Sequence, residues 1–287
     1  MQYGVVIFPT DQTIQPIELA VAAEERGFES LWFPEHSHIP ASRATPWGGR
    51  QGAPPLPGEY WRTHDQMIAL AAAAAATSQI RLATGITLLA QRDPIWFGKE
   101  VASLDTISNG RFVLGIGYGW NKEEMAQHGV VYSQRRALVR EKVLAMKRMW
   151  ADDEWSFAGE HVELEASWSW PKPVQKPHPP IILGAAAGPK TMAQIVEFCD
   201  GWMPLGGRHK LGESIELLHD TCRAAGRDPS EIELTYFYAK PEREAIDRLA
   251  AQGFTRVIFK LGDPDGGGAM PPGDVIAQLD TFAKLID

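Results

Sequence analysis

The chain has 287 residues, 44% of them hydrophobic, and carries 28 Lys+Arg against 36 Asp+Glu, a net charge of −8. Such a hydrophobic share supports a sizeable core and excludes a disordered, collagen-like or small disulfide-stapled chain. The acidic balance argues against nucleic acid and an anionic membrane surface as partners, since both are recognised through Lys and Arg. It leaves open a small anionic ligand held in one local pocket.

The two cysteines, Cys199 and Cys222, form no C-x-x-C pair and read as buried free thiols in a reducing cytosol. The longest apolar run, 67–76, is about half of what a membrane span needs. The run 3–8 has neither a basic residue before it nor a cleavage site behind it, so a cytoplasmic protein is expected.

In chain order, short apolar runs alternate with amphipathic ones. Residues 3–8 predict a strand and 15–26 a helix, with Ile17 and Val21 on one face, Glu24 on another, and Gly27 ending it. A strand over 30–33, an Ala-rich helix over 64–78 and a strand over 80–89, interrupted by Gly85, come next. Residues 94–108 predict a helix with Pro94 in its first turn. A strand over 111–117 and a long helix over 134–150 complete the first half. The second half repeats the rhythm, with strands over 180–184, 201–204, 231–237 and 256–261. Helices over 189–198, 210–225, 241–252 and 272–286 follow them. Repeated βα units imply a parallel sheet with helices outside, and eight of them suggest a closed (β/α)8 TIM barrel. No composition break divides residues 1–287, so one domain is expected.

Two connections are too long for plain loops: 37–62, rich in Pro and Gly, and 151–179, rich in Trp and Pro. Both read as insertions serving as functional lids. The first leaves the C-terminal end of the second strand, where barrel enzymes place their chemistry.

Glu35-His36-Ser37-His38 closes that strand. An imidazole there suits an acid/base or a cofactor partner. It also suits a structural His pair, or a metal site of a barrel hydrolase if His209 and Asp263 joined it. Gly85-Ile86 interrupts an apolar strand, as a bulge or a close backbone approach would. Gly115-Ile116-Gly117-Tyr118-Gly119-Trp120 has Trp where a dinucleotide fingerprint needs its third Gly, so it reads as a glycine turn that lets a flat or anionic ligand approach. Two further turns, Gly184-Ala185-Ala186-Ala187-Gly188 and Gly206-Gly207-Arg208, follow late strands, where barrels commonly hold phosphate.

EHSHIP (35–40), ATGITLLAQRDP (83–94), SNGRFVLGIGYGWNKEEM (108–125), WSWPKPVQKPHPPIILG (168–184) and DGWMP (200–204) together resemble the luciferase-like monooxygenase superfamily. The chain is most similar to its branch of coenzyme F420-dependent oxidoreductases, with the likeness running in order over about residues 3–208. The resemblance implies a (β/α)8 barrel with insertions near the strand C-termini and a flavin or deazaflavin ring across its mouth. It implies a non-prolyl cis peptide at Gly85-Ile86, with Ile86 behind the ring. It also implies Glu35 and His36 at the reacting face, with Glu in place of the more usual Asp. Some sugar-phosphate dehydrogenase relatives use a Glu where Trp120 stands here, which puts that activity in doubt. The cofactor would meet the backbone of Gly117, Tyr118 and Gly119, and its phosphate would fall near Gly184, Ala185, Gly188, Gly206, Gly207 and Arg208.

These residues point to an oxidoreductase that passes a hydride between reduced F420 and a small organic molecule, with His36 and Glu35 catalytic and no metal. The alternatives are an FMN-dependent monooxygenase using molecular oxygen and, further off, a metal-dependent barrel hydrolase. Relatives are often dimers, so a homodimer is the expected assembly.

Overall fold

In the computed structural model, which describes residues 1–204, 210–263 and 269–286, eight parallel strands close into a barrel. The elements run β1 (Gln2–Val6), α1 (Pro16–Glu25), β2 (Ser30–Phe33), α2 (Glu59–Arg62), α3 (Gln66–Ala76), β3 (Arg81–Thr84), α4 (Pro94–Ile107), β4 (Phe112–Ile116), α5 (Lys122–Gln127) and α6 (Arg135–Ala151). They continue with β5 (Glu154–Ala158), β6 (Glu163–Trp168), β7 (Ile181–Gly184), α7 (Pro189–Phe198), β8 (Gly201–Met203), α8 (Leu211–Ala224), β9 (Glu233–Phe237), α9 (Arg243–Ala251), β10 (Arg256–Lys260) and α10 (Pro272–Ala283). Around the barrel the order is β1-β2-β3-β4-β7-β8-β9-β10, and β10 closes on β1 with Gln2 opposite Arg256 and Val6 opposite Lys260.

Local chemistry sets the helix ends that matter to the mouth. Asp93 accepts the N–H groups of Ile95 and Trp96 at 3.0 and 2.9 Å, and Pro94 begins α4 with φ already suited to a helix. Asp65 caps α3 through Ile68 N–H at 2.9 Å. Gly27 stops α1 in the left-handed region, at φ +78°, which Gly adopts without a Cβ clash.

Alternate side chains of the strands point inward. Val6, Trp32, Ala83, Val113, Ile182, Met203, Phe237 and Ile258 form one apolar cluster that fills the bore, and Ile86 packs on it. At the N-terminal end, Arg256 plugs the barrel between Glu29 and Glu233, with Nε 2.9 Å from Glu29 Oε2. A larger apolar cluster lies between the strands and the helical ring.

Two expectations need correction. The strand expected over 80–89 ends at Thr84; beyond it the backbone turns through a cis Gly85-Ile86 bond and only Thr87 bridges back, to Ile116. The connection 151–179 is no lid over the mouth. It follows a helix, so it starts at the N-terminal rim, where β5 and β6 pair as an antiparallel hairpin. Gln175 holds it there: its Nε2 donates to the carbonyl of Phe112, the first residue of β4, at 2.8 Å, and its Oε1 accepts from Arg81, the first residue of β3, at 3.3 Å. Among the described residues no helix is long and apolar enough to cross a membrane.

Candidate active site

Glycine shapes the mouth of the barrel. The inward positions above Ala83, Val113 and Ile182 are Gly85, Gly115 and Gly184, so no side chain rises from β3, β4 or β7 at that level. Ile86 takes the space. A Cβ on Gly117 would lie 1.8 Å from Ile86 Cδ1, and one on Gly184 would lie 2.9 Å from Ile86 Cγ2. These two glycines therefore admit the Ile86 side chain as a half-buried apolar platform across the mouth. The backbone behind it is tied down: Gly85 N–H donates to Phe33 O at 2.7 Å, Thr87 N–H to Gly115 O at 2.8 Å and Gly117 N–H to Thr87 O at 2.9 Å. The Gly117 amide, expected to face a cofactor, is thus engaged within the barrel wall.

Glu35 and His36 follow β2 and are each 8% exposed, but their partners differ. Glu35 Oε2 accepts Leu88 N–H at 2.7 Å, and Oε1 accepts Arg92 Nε–H at 2.7 Å with a second, shorter contact to Arg92 Nη2. Both oxygens thus hold the segment that follows Ile86. His36 Nδ1 meets Glu124 Oε2 at 2.8 Å, and Glu124 is fully buried in the first turn of α5. Glu124 Oε1 accepts Ser37 N–H at 3.2 Å. With Glu124 ionised, Nδ1 carries the hydrogen, and Nε2 is left to donate or accept a proton. Among the described residues nothing bonds Nε2. Ser37 Oγ meets His128 Nε2 at 2.7 Å and His38 Nδ1 at 2.9 Å, so His38 belongs to an outer chain rather than to the His36 pair. Burial, helped by the neighbouring His38, pushes His128 below the ordinary imidazole range.

The 37–62 connection covers this pair with aromatic rings. Tyr60 stands 5.0 Å from His36 and 4.6 Å from Phe8, while Trp47 meets it edge-on at 5.9 Å. Trp120 packs edge-on to His36 at 5.8 Å, with the Arg43 guanidinium 5.6 Å over its ring. Glu123 Oε1 holds the cover to α5 by accepting the N–H groups of Ala44 and Thr45 at 3.0 and 3.1 Å. Its slight burial opposes ionisation, but these bonds outweigh that and bring the carboxyl down to about 2. Arg62 pairs with Asp11 at 2.8 Å and Glu59 with Lys260 at 3.7 Å, which ties α2 to the rim.

On the opposite side, Gly188 precedes α7 without a side-chain cap, and a Cβ there would meet nothing within 4 Å. An uncapped helix start presents N–H donors to an anion. Arg136 Nη1 donates to Thr191 Oγ1 in the first turn of α7 at 3.2 Å. The Arg136 guanidinium also lies 4.3 Å over the Tyr118 ring. Tyr118 turns its hydroxyl outward to Gln194, and burial pushes it up to about 12, so the mouth receives only its backbone. Ala185 O accepts the Trp202 indole N–H at 3.0 Å. Gly119, at φ +77°, lies against Met125 of α5. Gly206, Gly207 and Arg208 lie outside the described residues, as does His209.

The structure therefore brings together Glu35, His36, Gly85, Ile86, Gly117 and Gly184, with Gly188 further along the rim. Sequence reading missed Glu124, Arg92 and Arg136. Only Glu124 carries a local signal, the Asn121-x-x-Glu124 spacing of a helix start. Among the described residues no group of three or more His, Cys, Asp or Glu is placed to hold a metal ion.

A glycine-walled mouth with an apolar platform on one side, a polarised imidazole beside it and an anion-suited helix start suits a flat ring with a phosphate tail. The chain is 41% identical over 267 residues to an uncharacterized protein of Mycobacterium tuberculosis, covering 92% of this chain and 93% of the other. It is 28% identical over 236 residues to the F420-dependent hydroxymycolic acid dehydrogenase of the same organism, covering 80% of this chain and 59% of that one. Its fold matches that of an F420-dependent secondary alcohol dehydrogenase in complex with an F420-acetone adduct, with a TM-score of 0.77 at 19% identity over 99% of this chain and 98% of the other. The profile of the luciferase-like monooxygenase family matches residues 7–266. The chain belongs to the luciferase-like monooxygenase family and is an oxidoreductase of that type.

Proposed function

We propose that this chain moves a hydride between coenzyme F420 and a small organic carbonyl or alcohol, with His36 moving the accompanying proton. The observation that carries this reading is the buried His36–Glu124 pair: His36 follows β2 at the barrel mouth, where Ile86 follows the neighbouring strand β3. A proton-handling group under an aromatic cover and an apolar surface suited to a flat ring thus share one rim of the barrel. Gly117 and Gly184 seat the Ile86 side chain as an apolar surface, and Gly188 leaves open space at the start of α7, so the residues present fit a flat ring with an anionic tail.

Ile86 would support the ring, and the start of α7 with Arg136 would take the phosphate of its tail. When bound, the reduced deazaflavin supplies two electrons and a proton together as hydride. The protein does the rest. Glu124 holds the Nδ1–H tautomer of His36 and stabilises its imidazolium form. In the reducing direction, Nε2–H would give its proton to the carbonyl oxygen, leaving His36 neutral. In the oxidising direction, neutral Nε2 takes the hydroxyl proton. Glu35 acts through Leu88 and Arg92 and is a positioning residue for the platform. Tyr60, Trp47 and Trp120 keep water from the reacting atoms.

A second reading, an FMN-dependent monooxygenase, keeps support from the family's monooxygenase members, since the Ile86 platform suits either ring. Parallel equilibrium titrations of the purified protein with F420 and with FMN separate the two, using the quenching of each cofactor's fluorescence. Micromolar or tighter F420 binding with much weaker FMN binding is the expected result. Preference for FMN overturns the F420 reading and favours oxygen chemistry.

A further inference from the structure

Along the C-terminal rim, beyond the start of α7, positive charge gathers without a counter-ion. Arg135 and Arg136 open α6, Lys190 is the second residue of α7 and Lys122 opens α5. Tyr132 holds two of these cations together, with Lys122 Nζ 5.1 Å and the Arg135 guanidinium 3.7 Å from its ring centroid. Arg136 joins them to α7: it lies over Tyr118 and donates to Thr191, the neighbour of Lys190. Among the described residues none of the four forms an ion pair. Farther along the same helix the cations are neutralised: Arg140 Nε donates to Glu197 at 2.8 Å, and Arg148 pairs with Asp152 at 3.3 Å.

The placement is unfavourable by itself. The first turns of α6 and α7 hold no acidic residue and no side-chain cap, so three cations sit at the positive ends of two helix dipoles. Arg135 Nε is buried and has no hydrogen-bond partner. In a chain of net charge −8, a local track of this kind suits an anion that carries several charges.

The track begins where the cofactor phosphate would sit and leads away from the mouth, on the side to which Tyr118 turns its hydroxyl. Its lysines are exposed and its arginines half-buried, so it lies open to an extended chain. Beyond its phosphate, F420 continues as a flexible chain of γ-linked glutamates, each with a free carboxylate, whereas FMN ends at its phosphate. We infer that Lys122, Arg135 and Lys190 receive carboxylates of this tail and thereby favour the deazaflavin over FMN through charge remote from the ring. This rests on the hydride-transfer reading above and adds the residues that recognise the far end of the cofactor.

Fluorescence titrations of the protein test it without requiring turnover. They compare F420 bearing a long glutamate chain, F420 bearing none, and the deazaflavin–ribitol fragment that lacks the phosphate as well. At low salt the long-tailed form should bind about tenfold more tightly than the form without glutamates, as a few exposed ion pairs predict. At about 1 M salt, where charges are screened within about 3 Å, that gap should fall below about twofold. Lys122→Gln, Arg135→Gln and Lys190→Gln together should abolish the gap at low salt and leave the affinity of the deazaflavin–ribitol fragment unchanged. Arg135→Lys alone keeps the charge and should keep most of the gap. Equal affinity for the long-tailed and tail-free forms at low salt removes the tail assignment and leaves the hydride-transfer reading in place. A gap that survives the combined substitution also overturns the assignment. An equal loss for the fragment makes the three residues structural and overturns their role in recognition. Absence of binding by the fragment and by both forms of F420 removes the hydride-transfer reading itself, and the tail assignment with it.

Discussion

Residues 37–62 and 151–179 are both long, both rich in Pro and both carry Trp, and they lie at opposite ends of the barrel. The first follows a strand, β2, and so leaves from the C-terminal rim. Its Trp47 and Tyr60 cover His36, and its Ala44 and Thr45 are held by Glu123. The second follows a helix, α6, and so starts at the N-terminal rim. There it folds into the β5–β6 hairpin, and Lys172 Nζ secures it by donating to Met149 O at 2.7 Å and to Asp152 O. Its Trp168 is 75% exposed and touches nothing catalytic. In a barrel of parallel βα units, the element preceding a connection decides which rim it joins. Composition does not.

This contrast orders the predicted effects of substitution. The largest belongs to the mouth: His36→Ala should lower kcat by roughly a thousandfold, within the span of acid–base contributions, with only a modest loss of F420 affinity. Steady-state kinetics beside a cofactor titration measure both, and turnover within about threefold of the unmodified protein would show that His36 is not the proton carrier. Glu124→Gln preserves shape but not charge, so it should reduce kcat by about a hundredfold and shift its pH profile, leaving the acceptor KM nearly unchanged. A loss of KM alone would reduce Glu124 to scaffolding.

Gly117→Ala is next. Its Cβ would sit 1.8 Å from Ile86 Cδ1 and push the platform aside. F420 affinity should fall about tenfold, and Ile86→Ala in the same chain should restore part of it by releasing the overlap. An unchanged dissociation constant in the single variant would remove Ile86 from the cofactor site.

Lys142 probes the same region through stability. It is 7% exposed and donates to Ala90 O at 2.8 Å, with further contacts to Leu89 O and Arg92 O, in the segment that carries Arg92. Lys142→Met leaves these carbonyls without their donor and should destabilise the fold by about 2 kcal/mol in a denaturant titration. Burial lowers the Lys142 pKa from 10.5 to about 8. The unfolded chain therefore binds more protons between those values, so this group makes stability rise with pH across that window. Lys142→Met should flatten that rise; a slope identical in both proteins would contradict the burial of the charge. At the small end, Trp168→Ser in the hairpin should change neither kcat nor stability by more than about 0.5 kcal/mol. A large effect there would mean that the two connections are not functionally distinct.

Much of the barrel was legible in the sequence, because each unit pairs a short apolar run with an amphipathic helix. Boundaries failed where hydrophobicity outlasts regular backbone: Thr87 to Leu89 remain apolar or β-branched after β3 has ended. The hairpin escaped because β6, Glu-Leu-Glu-Ala-Ser-Trp, is mostly exposed and carries no buried face to detect. Glu35 and His36 were readable because they follow directly on a short apolar strand. Glu124, 88 residues from His36, and Arg92, 57 from Glu35, meet their partners only through barrel closure. No local pattern encodes such a meeting. Two of the glycines showed the converse: their presence was plain, but Gly117 and Gly184 make room for Ile86, which only the packing shows.

A crystal structure of the protein with F420 bound tests the central claim most directly. The account predicts the deazaflavin ring lying on Ile86, with His36 Nε2 positioned to reach the oxygen of an acceptor held about 3–3.5 Å from the ring's hydride-carrying carbon. A ring seated away from Ile86, or His36 turned from its reacting face, would contradict it.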